Sequence, residues 1–135
     1  MSRAVTLIRS DKLAAIAQYA YAATAPSNAR LIFLAGACPL NDDGSTAGIG
    51  DYVAQAQKAV DNMCVALEEA SAGIEDVIFT RVLVASVEQT DLVAAWNVVR
   101  AAFGDHDAPS TLMGITVLGY PAQLVEIEAV AAVID

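Results

Sequence analysis

The stretch "DVIFTRVLVAS" (76–86) is the feature that most narrowly limits what this chain can fold into. It alternates around Val77, Phe79 and Arg81 and then becomes continuously apolar. Alternation is typical of a strand, and a continuous apolar run is typical of a strand that is buried on both faces. The sequence therefore predicts that this strand lies in the middle of a sheet.

Two helices are predicted, one before and one after this strand. Apolar residues recur at helical spacing over residues 51–72, and Gly73 supplies the expected stop. The second helix covers "LVAAWNVVRAAF" (92–103), and Thr90 or Asp91 can cap its start. Both segments are amphipathic, so each is expected to pack one face against the sheet.

Five further segments read as strands and complete the order β-β-β-α-β-α-β-β. This order predicts an α+β sandwich with two helices on one face of a mostly antiparallel, six-stranded sheet. The other face would be apolar, and a closed ring of identical subunits would cover it. The five segments are "AVTLIR" (4–9), "YAYAATA" (19–25), "RLIFLAGACPL" (30–40), "TLMGITVL" (111–118) and "LVEIEAVAAVI" (124–134).

Length, composition and charge narrow the class of protein. A chain of 135 residues has the size of one domain, expected here over 1–135, and 56% hydrophobic residues provide for both a core and a subunit interface. The net charge of −9 and the scattered basic residues argue against a nucleic-acid partner. Without a long apolar run or a cleavable leader, the sequence predicts no membrane partner and a cytoplasmic location.

Candidate nucleophiles and metal ligands are few. His106 is the single histidine and lies in the polar loop "GDHDAP", where a solvated role is expected rather than a catalytic one. Cys38, Ser110 and Thr111 lack the glycine pattern of a nucleophile elbow. With one histidine, no metal site is predicted, and Cys38 and Cys64 are expected to be free thiols.

Four stretches together resemble a known family in their order and spacing. They are "FLAGACPLNDDG", "AQAQKAVDNMCVALEEASAGIEDV", "AAWNVVRAAFGDHDAPSTLMGITVL" and "LVEIEAVA". The chain is similar from about Tyr19 to Ala131 to the RidA family of reactive intermediate deaminases, also called YjgF-like or endoribonuclease L-PSP proteins. The resemblance implies a chorismate-mutase-like fold, a homotrimer, and a small-molecule cleft between each pair of subunits.

The resemblance also implies an activity and its residues. In the deaminase branch, each cleft hydrolyses enamines and imines to a keto acid and ammonia without a cofactor. An arginine near the start of the penultimate strand grips the substrate carboxylate, a glutamate in the last strand positions water, and an N-terminal tyrosine lines the cleft. The glutamate matches Glu126, the tyrosine matches Tyr19, and the arginine position is occupied by Ser110.

The rest of the implied cleft differs from the family's pattern. Ala35 and Ala37 flank Gly36 where the family commonly has serine and glutamine, which makes this wall less polar. Cys38 is expected near the cleft mouth, and Thr111 is expected to contact the ligand beside Ser110. Losing a bidentate arginine–carboxylate contact costs about 1.5–3 kcal/mol, so canonical 2-imino-acid deamination is disfavoured.

Two functional classes therefore stay open. One is a hydrolase for an imine, an enamine or a related molecule, with water held by Glu126 and an altered substrate. The other is a catalytically inactive trimer that binds a metabolite or a protein in the same cleft. The sequence leaves undecided whether Arg30, Arg81 or Arg100 replaces the missing arginine, and Glu128, two residues from Glu126, would share its face of the strand.

Overall fold

The computed structural model describes residues 3–135 of the chain. Its elements follow the predicted order, with one added 3₁₀ turn at Ile74–Asp76 between the first helix and the fourth strand. The strands and helices are β1 (Thr6–Ile8), β2 (Ala22–Thr24), β3 (Arg30–Phe33), α1 (Tyr52–Glu69), β4 (Val77–Ala85), α2 (Gln89–Phe103), β5 (Ser110–Ile115) and β6 (Val125–Val133).

The α+β fold class is confirmed, while the six strands divide into two sheets. Strands β1 and β2 form an antiparallel pair, and the other four are ordered β3-β6-β4-β5. All neighbours in this second sheet are antiparallel except β4 and β5, which are parallel. The predicted central strand, β4, indeed has a neighbour on each side.

Most strands differ from the predicted bounds by one to several residues, and three element ends differ in a way that affects the fold. The predicted strand over 30–40 ends at Phe33, and beyond it the chain contacts β6 through a hydrogen bond from the Leu34 amide to the Ala129 carbonyl and through an isolated bridge between Ala37 and Ile127. Helix α1 ends at Glu69, and Ser71 rather than Gly73 adopts the positive φ (61°) that follows the helix. Helix α2 starts at Gln89, because Glu88 occupies the N-cap position predicted for Thr90 or Asp91.

The two faces of the four-stranded sheet have different surroundings. Helix α1 packs against β6, and α2 packs against β4 and β5, so alternate strand residues such as Val82, Val84 and Ile127 are fully buried. The opposite side, which we call the open face, carries the residues between them. Leu31 and Phe33 on β3 are 54% and 72% exposed there, but Arg81, Thr111 and Glu128 share this side, so the predicted apolar face is apolar only in part.

None of the helices within residues 3–135 is both long enough and apolar enough to cross a membrane.

Candidate functional site

Glu126 lies near the start of β6, on the open face. It is opposite Leu83 of β4 in the antiparallel register, and its neighbours Val125 and Ile127 point into the core. The side chain is half-buried. Its Oε1 atom accepts two hydrogen bonds, from the Cys38 thiol at 3.2 Å and from the Gln123 amide at 3.2 Å.

The second carboxylate oxygen of Glu126 is not held by a protein donor. Among the described residues, Oε2 accepts no hydrogen bond, and every buried side-chain nitrogen or oxygen atom in that part of the chain has a partner. Oε2 is therefore not buried. One oxygen is held by protein donors, and the other is free to bind water or a ligand.

Gly36 lies directly against this carboxylate. A Cβ atom at position 36 would come within 2.7 Å of the carboxyl carbon of Glu126 and closer still to Oε2. The approach is held by two backbone hydrogen bonds between Ala37 and Ile127, of 2.7 and 3.0 Å. A Cβ atom here would therefore displace the end of the Glu126 side chain, so glycine is what allows the carboxylate to lie in this position. The predicted neighbours Ala35 and Gly36 thus border the site, with Ala35 exposed.

The Cys38 thiol is a hydrogen-bond donor rather than a nucleophile. Burial, followed by the hydrogen bond to Glu126 and its charge, raises the pKa of Cys38 to about 11. A thiol with this pKa is almost entirely protonated near neutrality, and the thiolate is the reactive form. Both Cys38 and Cys64 are free thiols, as predicted.

Gln123 is a site residue that sequence reasoning missed. It is 4% exposed and lies in the turn before β6, where its Nε2 atom donates to the Val125 carbonyl and to Glu126, and its Oε1 atom accepts from the Tyr120 amide at 3.1 Å. A glutamine in the turn "GYPAQ" carries no recognisable pattern. Only the folded turn brings it beside the carboxylate.

Asn62 of α1 supports the segment that carries Gly36 and Cys38. Its Nδ2 atom donates to the carbonyl oxygens of Cys38 at 2.8 Å and of Leu40 at 3.0 Å. These bonds satisfy two backbone acceptors that lie outside regular structure. Helix α1 thus holds in place the segment that carries Gly36 and Cys38.

Ser110 and Tyr19 lie away from Glu126. Ser110 is opposite Thr80, and its hydroxyl oxygen accepts a hydrogen bond from Thr80 Oγ1 at 2.7 Å. Strand alternation places it on the helix side of the sheet, whereas Glu126 is on the open face. It lines a cavity of about 390 Å³ whose other lining residues are Tyr19, Trp96, Thr111 and Leu112.

Thr111 is the hydroxyl residue that shares the open face with Glu126. It is exposed and opposite Arg81 of β4, and Arg81 is in turn opposite Glu128 of β6. Arg81 Nε is 2.9 Å from Glu128 Oε1, with both side chains about half-exposed (49% and 40%). An ion pair in this setting is weak, so the guanidinium remains available to another anion.

Arg81 is the arginine closest in the sheet register to Glu126. Diagonal neighbours on paired strands are about 7–8 Å apart, a span that a small molecule can bridge. Arg30 instead pairs with Asp135 at the end of the chain, and Arg100 is exposed on α2. His106 is fixed by a 2.7 Å contact between its Nε2 atom and the Val77 carbonyl, and so has a structural role.

The predicted site residues therefore form two groups within one chain. Gly36, Cys38 and Glu126 converge on the open face, whereas Tyr19 and Ser110 line the cavity on the helix side, with Thr111 between them. No three His, Cys, Asp or Glu side chains within residues 3–135 are arranged to hold a metal ion. The chemistry that this arrangement offers is that of one oriented carboxylate.

Comparisons with known proteins agree with this fold. A profile of the family described as "Endoribonuclease L-PSP" matches residues 9–133. The chain therefore belongs to this family, which confirms the resemblance to RidA and YjgF-like proteins. No curated protein matches the chain.

Three solved structures illustrate the relationship. The Rid family protein YyfB from Yersinia pestis, described as of unknown function, is 26% identical, with a TM-score of 0.89 over 96% of this chain and 99% of its own. Rv2704 from Mycobacterium tuberculosis, of the YjgF/YER057c/UK114 family, is 28% identical, with a TM-score of 0.64 over 96% and 99% of the two chains. A protein from Entamoeba histolytica described as a putative endoribonuclease L-PSP is 24% identical, with a TM-score of 0.70 and the same coverage, and shows the fold alone.

Proposed function

We propose that this protein is a hydrolase of a small imine or enamine, in which Glu126 positions the attacking water. The observation that carries the proposal is the asymmetry of the carboxylate: Oε1 is held by Cys38 and Gln123, and Oε2 has no donor within the described residues. A carboxylate held in this way can accept a proton from water at one defined place.

The reaction balances without a cofactor. An enamine first takes a proton on carbon and becomes an imine. Water then donates one proton to Glu126 Oε2 as its oxygen bonds to the imine carbon, and Glu126 passes that proton to the imine nitrogen, which gives a neutral carbinolamine. The hydroxyl proton of the carbinolamine then moves to nitrogen by way of the carboxylate as the C–N bond breaks, the carbonyl forms and ammonia leaves. Imine and water thus give a carbonyl compound and ammonia, and the carboxylate is regenerated.

The proposal includes a homotrimer, as family membership implies. On one chain, Glu126 and Thr111 face outward on the open face, beside the exposed Phe33. A catalytic carboxylate works best where water access is limited, and a second copy laid on the open face would enclose it. Tyr19 and Ser110 would then border the cleft from the cavity on the helix side.

The proposed substrate differs from that of the canonical deaminases. Ser110 offers a hydroxyl that is already engaged by Thr80, and it carries no charge to bind a carboxylate. The polar groups that share the face of Glu126 are Thr111 and Arg81, whose guanidinium Glu128 partly neutralises. These polar groups are better suited to a neutral or weakly anionic imine than to a substrate whose binding depends on its carboxylate.

Ammonia release from freshly generated 2-aminoacrylate and from small imines without a carboxylate tests the proposal. We expect the native protein to favour the neutral imines and Glu126→Gln to lose activity by at least about a hundredfold, within the range of general base catalysis. Glu128→Gln is the matched control, since it removes a carboxylate from the same strand and face and should remain active.

The second function class is an inactive binding trimer. The lack of a charged side chain at Ser110 favours it, because in the deaminase branch of the family this position carries the arginine that binds the substrate carboxylate. Two results together would establish this alternative and exclude the hydrolase. The native protein would bind the carbonyl products of imine hydrolysis, and it would release no ammonia above the buffer rate from any imine.

A further inference from the structure

We propose that Gln123 is a positioning residue of the site, holding Glu126 so that only Oε2 faces the reacting water. This inference rests on the proposed function of Glu126. It concerns a buried amide in the turn before β6 that no motif of the sequence singles out.

The contacts of Gln123 leave it no freedom to rotate. Its carbonyl oxygen accepts from the Tyr120 amide, and its NH₂ group donates to the Val125 carbonyl at 3.1 Å and to Glu126 Oε1 at 3.2 Å. An amide nitrogen has two donor hydrogens, and both are used. The orientation of the side chain is therefore set by the backbone, and its second hydrogen is aimed at the carboxylate.

Three groups together determine which oxygen of Glu126 is free. Gln123 and Cys38 both donate to Oε1, and Gly36 leaves room for Oε2. The thiol is the weaker of the two donors. We therefore assign the larger share of the orientation to Gln123.

A purely structural role for the turn belongs to another glutamine. Gln55 of α1 is fully buried, and its Nε2 atom donates to the carbonyl oxygens of Gly48 and Ala122, while its Oε1 atom accepts from the Leu124 amide at 2.7 Å. It fastens the same turn without contacting Glu126. The chain thus contains a matched control for the loss of a buried glutamine.

The experiment compares Gln123→Met with Gln55→Met in the full-length protein. In Gln123→Met, the carboxylate loses a donor to its charged form, so we expect kcat for imine hydrolysis to fall about tenfold with little change in KM, and the acid limb of the pH–rate profile to move to higher pH. In Gln55→Met, we expect lower thermal stability but an unchanged acid limb. Gln123→Glu places a second carboxylate beside the first and should move the acid limb upward by about one pH unit or more.

A second measurement does not depend on activity. Mass spectrometry of alkylated peptides gives the rate at which Cys38 reacts with iodoacetamide as pH rises. Gln123→Glu adds negative charge beside the thiol and Glu126, so we expect Cys38 alkylation to slow several-fold at alkaline pH, whereas Gln55→Glu should leave it unchanged.

The outcomes separate the inference from the proposed function. If the native protein releases no ammonia, the proposed function fails, and the alkylation rates still decide whether Gln123 contacts the Cys38–Glu126 pair. The assignment of Gln123 would be overturned if the acid limb and the Cys38 alkylation rate responded equally to the Gln123 and Gln55 substitutions. It would also be overturned if they responded to neither substitution.

Discussion

The backbone of Gly36 lies against the carboxylate of Glu126 so closely that a Cβ atom at position 36 would come within 2.7 Å of the carboxyl carbon. The strand that carries Glu126 and the irregular segment that carries Gly36 are joined by the bridge between Ala37 and Ile127. The carboxylate therefore occupies a place that the neighbouring main chain leaves open. Any side chain at position 36 would have to share that place.

Gly36→Ala should move the Glu126 side chain and reduce imine hydrolysis by about tenfold or more, since a small misplacement of a catalytic group is costly. The backbone at position 36 does not have a positive φ, so the fold should survive. Gly119→Ala is the matched control, because a Cβ at Gly119 meets no atom within 4 Å. Ammonia release and thermal unfolding of the two variants check this prediction, which fails if they behave alike.

Cys38 should react slowly with alkylating agents until the solution is strongly alkaline. Its pKa is raised from the ordinary 9.0 to about 11, so the thiol form, favoured in the folded protein, persists through pH 9 and is lost as the pH approaches about 11. Replacing Glu126 with Gln removes the charge and leaves a weaker, neutral acceptor, so the pKa of Cys38 should fall part of the way toward its ordinary value, while burial, the largest cause, keeps it raised. Peptide mass spectrometry after iodoacetamide treatment measures this. An unchanged alkylation curve in Glu126→Gln would contradict the effect of the Glu126 carboxylate on the thiol.

Phe33→Glu should break the proposed homotrimer. Phe33 is 72% exposed on the open face, and an unpaired carboxylate buried against a second copy costs several kcal/mol. Val87→Glu is the control, since Val87 is 95% exposed but lies after β4, outside the sheet. Sedimentation of the native protein should give about three times the 14.0 kDa chain mass, retained in Val87→Glu and lost in Phe33→Glu. A native protein that sediments as a single chain is incompatible with the trimer.

Arginine should restore carboxylate binding at position 111 and not at position 110. Thr111 is exposed on the open face with Glu126, whereas Ser110 points to the helix side and is bonded to Thr80. We expect Thr111→Arg to increase ammonia release from 2-aminoacrylate by about ten- to a hundredfold, which corresponds to a charge-assisted bidentate contact. Ser110→Arg has to place a guanidinium beside Trp96 and should lower stability instead. The reverse result would assign the substrate to the cavity on the helix side.

Strand alternation in the sequence predicts the face on which some of the site residues lie, but not which residues meet. Alternation along β6 predicted that Glu126 and Glu128 share a face, and the structure has them there, because side-chain direction in a strand follows from chain position alone. The resemblance placed Tyr19 and Ser110 in the same cleft as Glu126, and this stays a prediction for the oligomer. Within one chain they line the opposite side of the sheet.

The sequence by itself determined the order of elements, the central place of β4 and membership of the family, since these follow from periodicity and from the spacing of motifs. Tertiary structure alone decided that Gly36, Cys38 and Gln123 meet at one carboxylate, and that Arg81 is paired with Glu128. These contacts join residues far apart in the chain or hidden in a turn without a pattern, and their geometry depends on how the strands pair. Local propensity contains no information about that pairing.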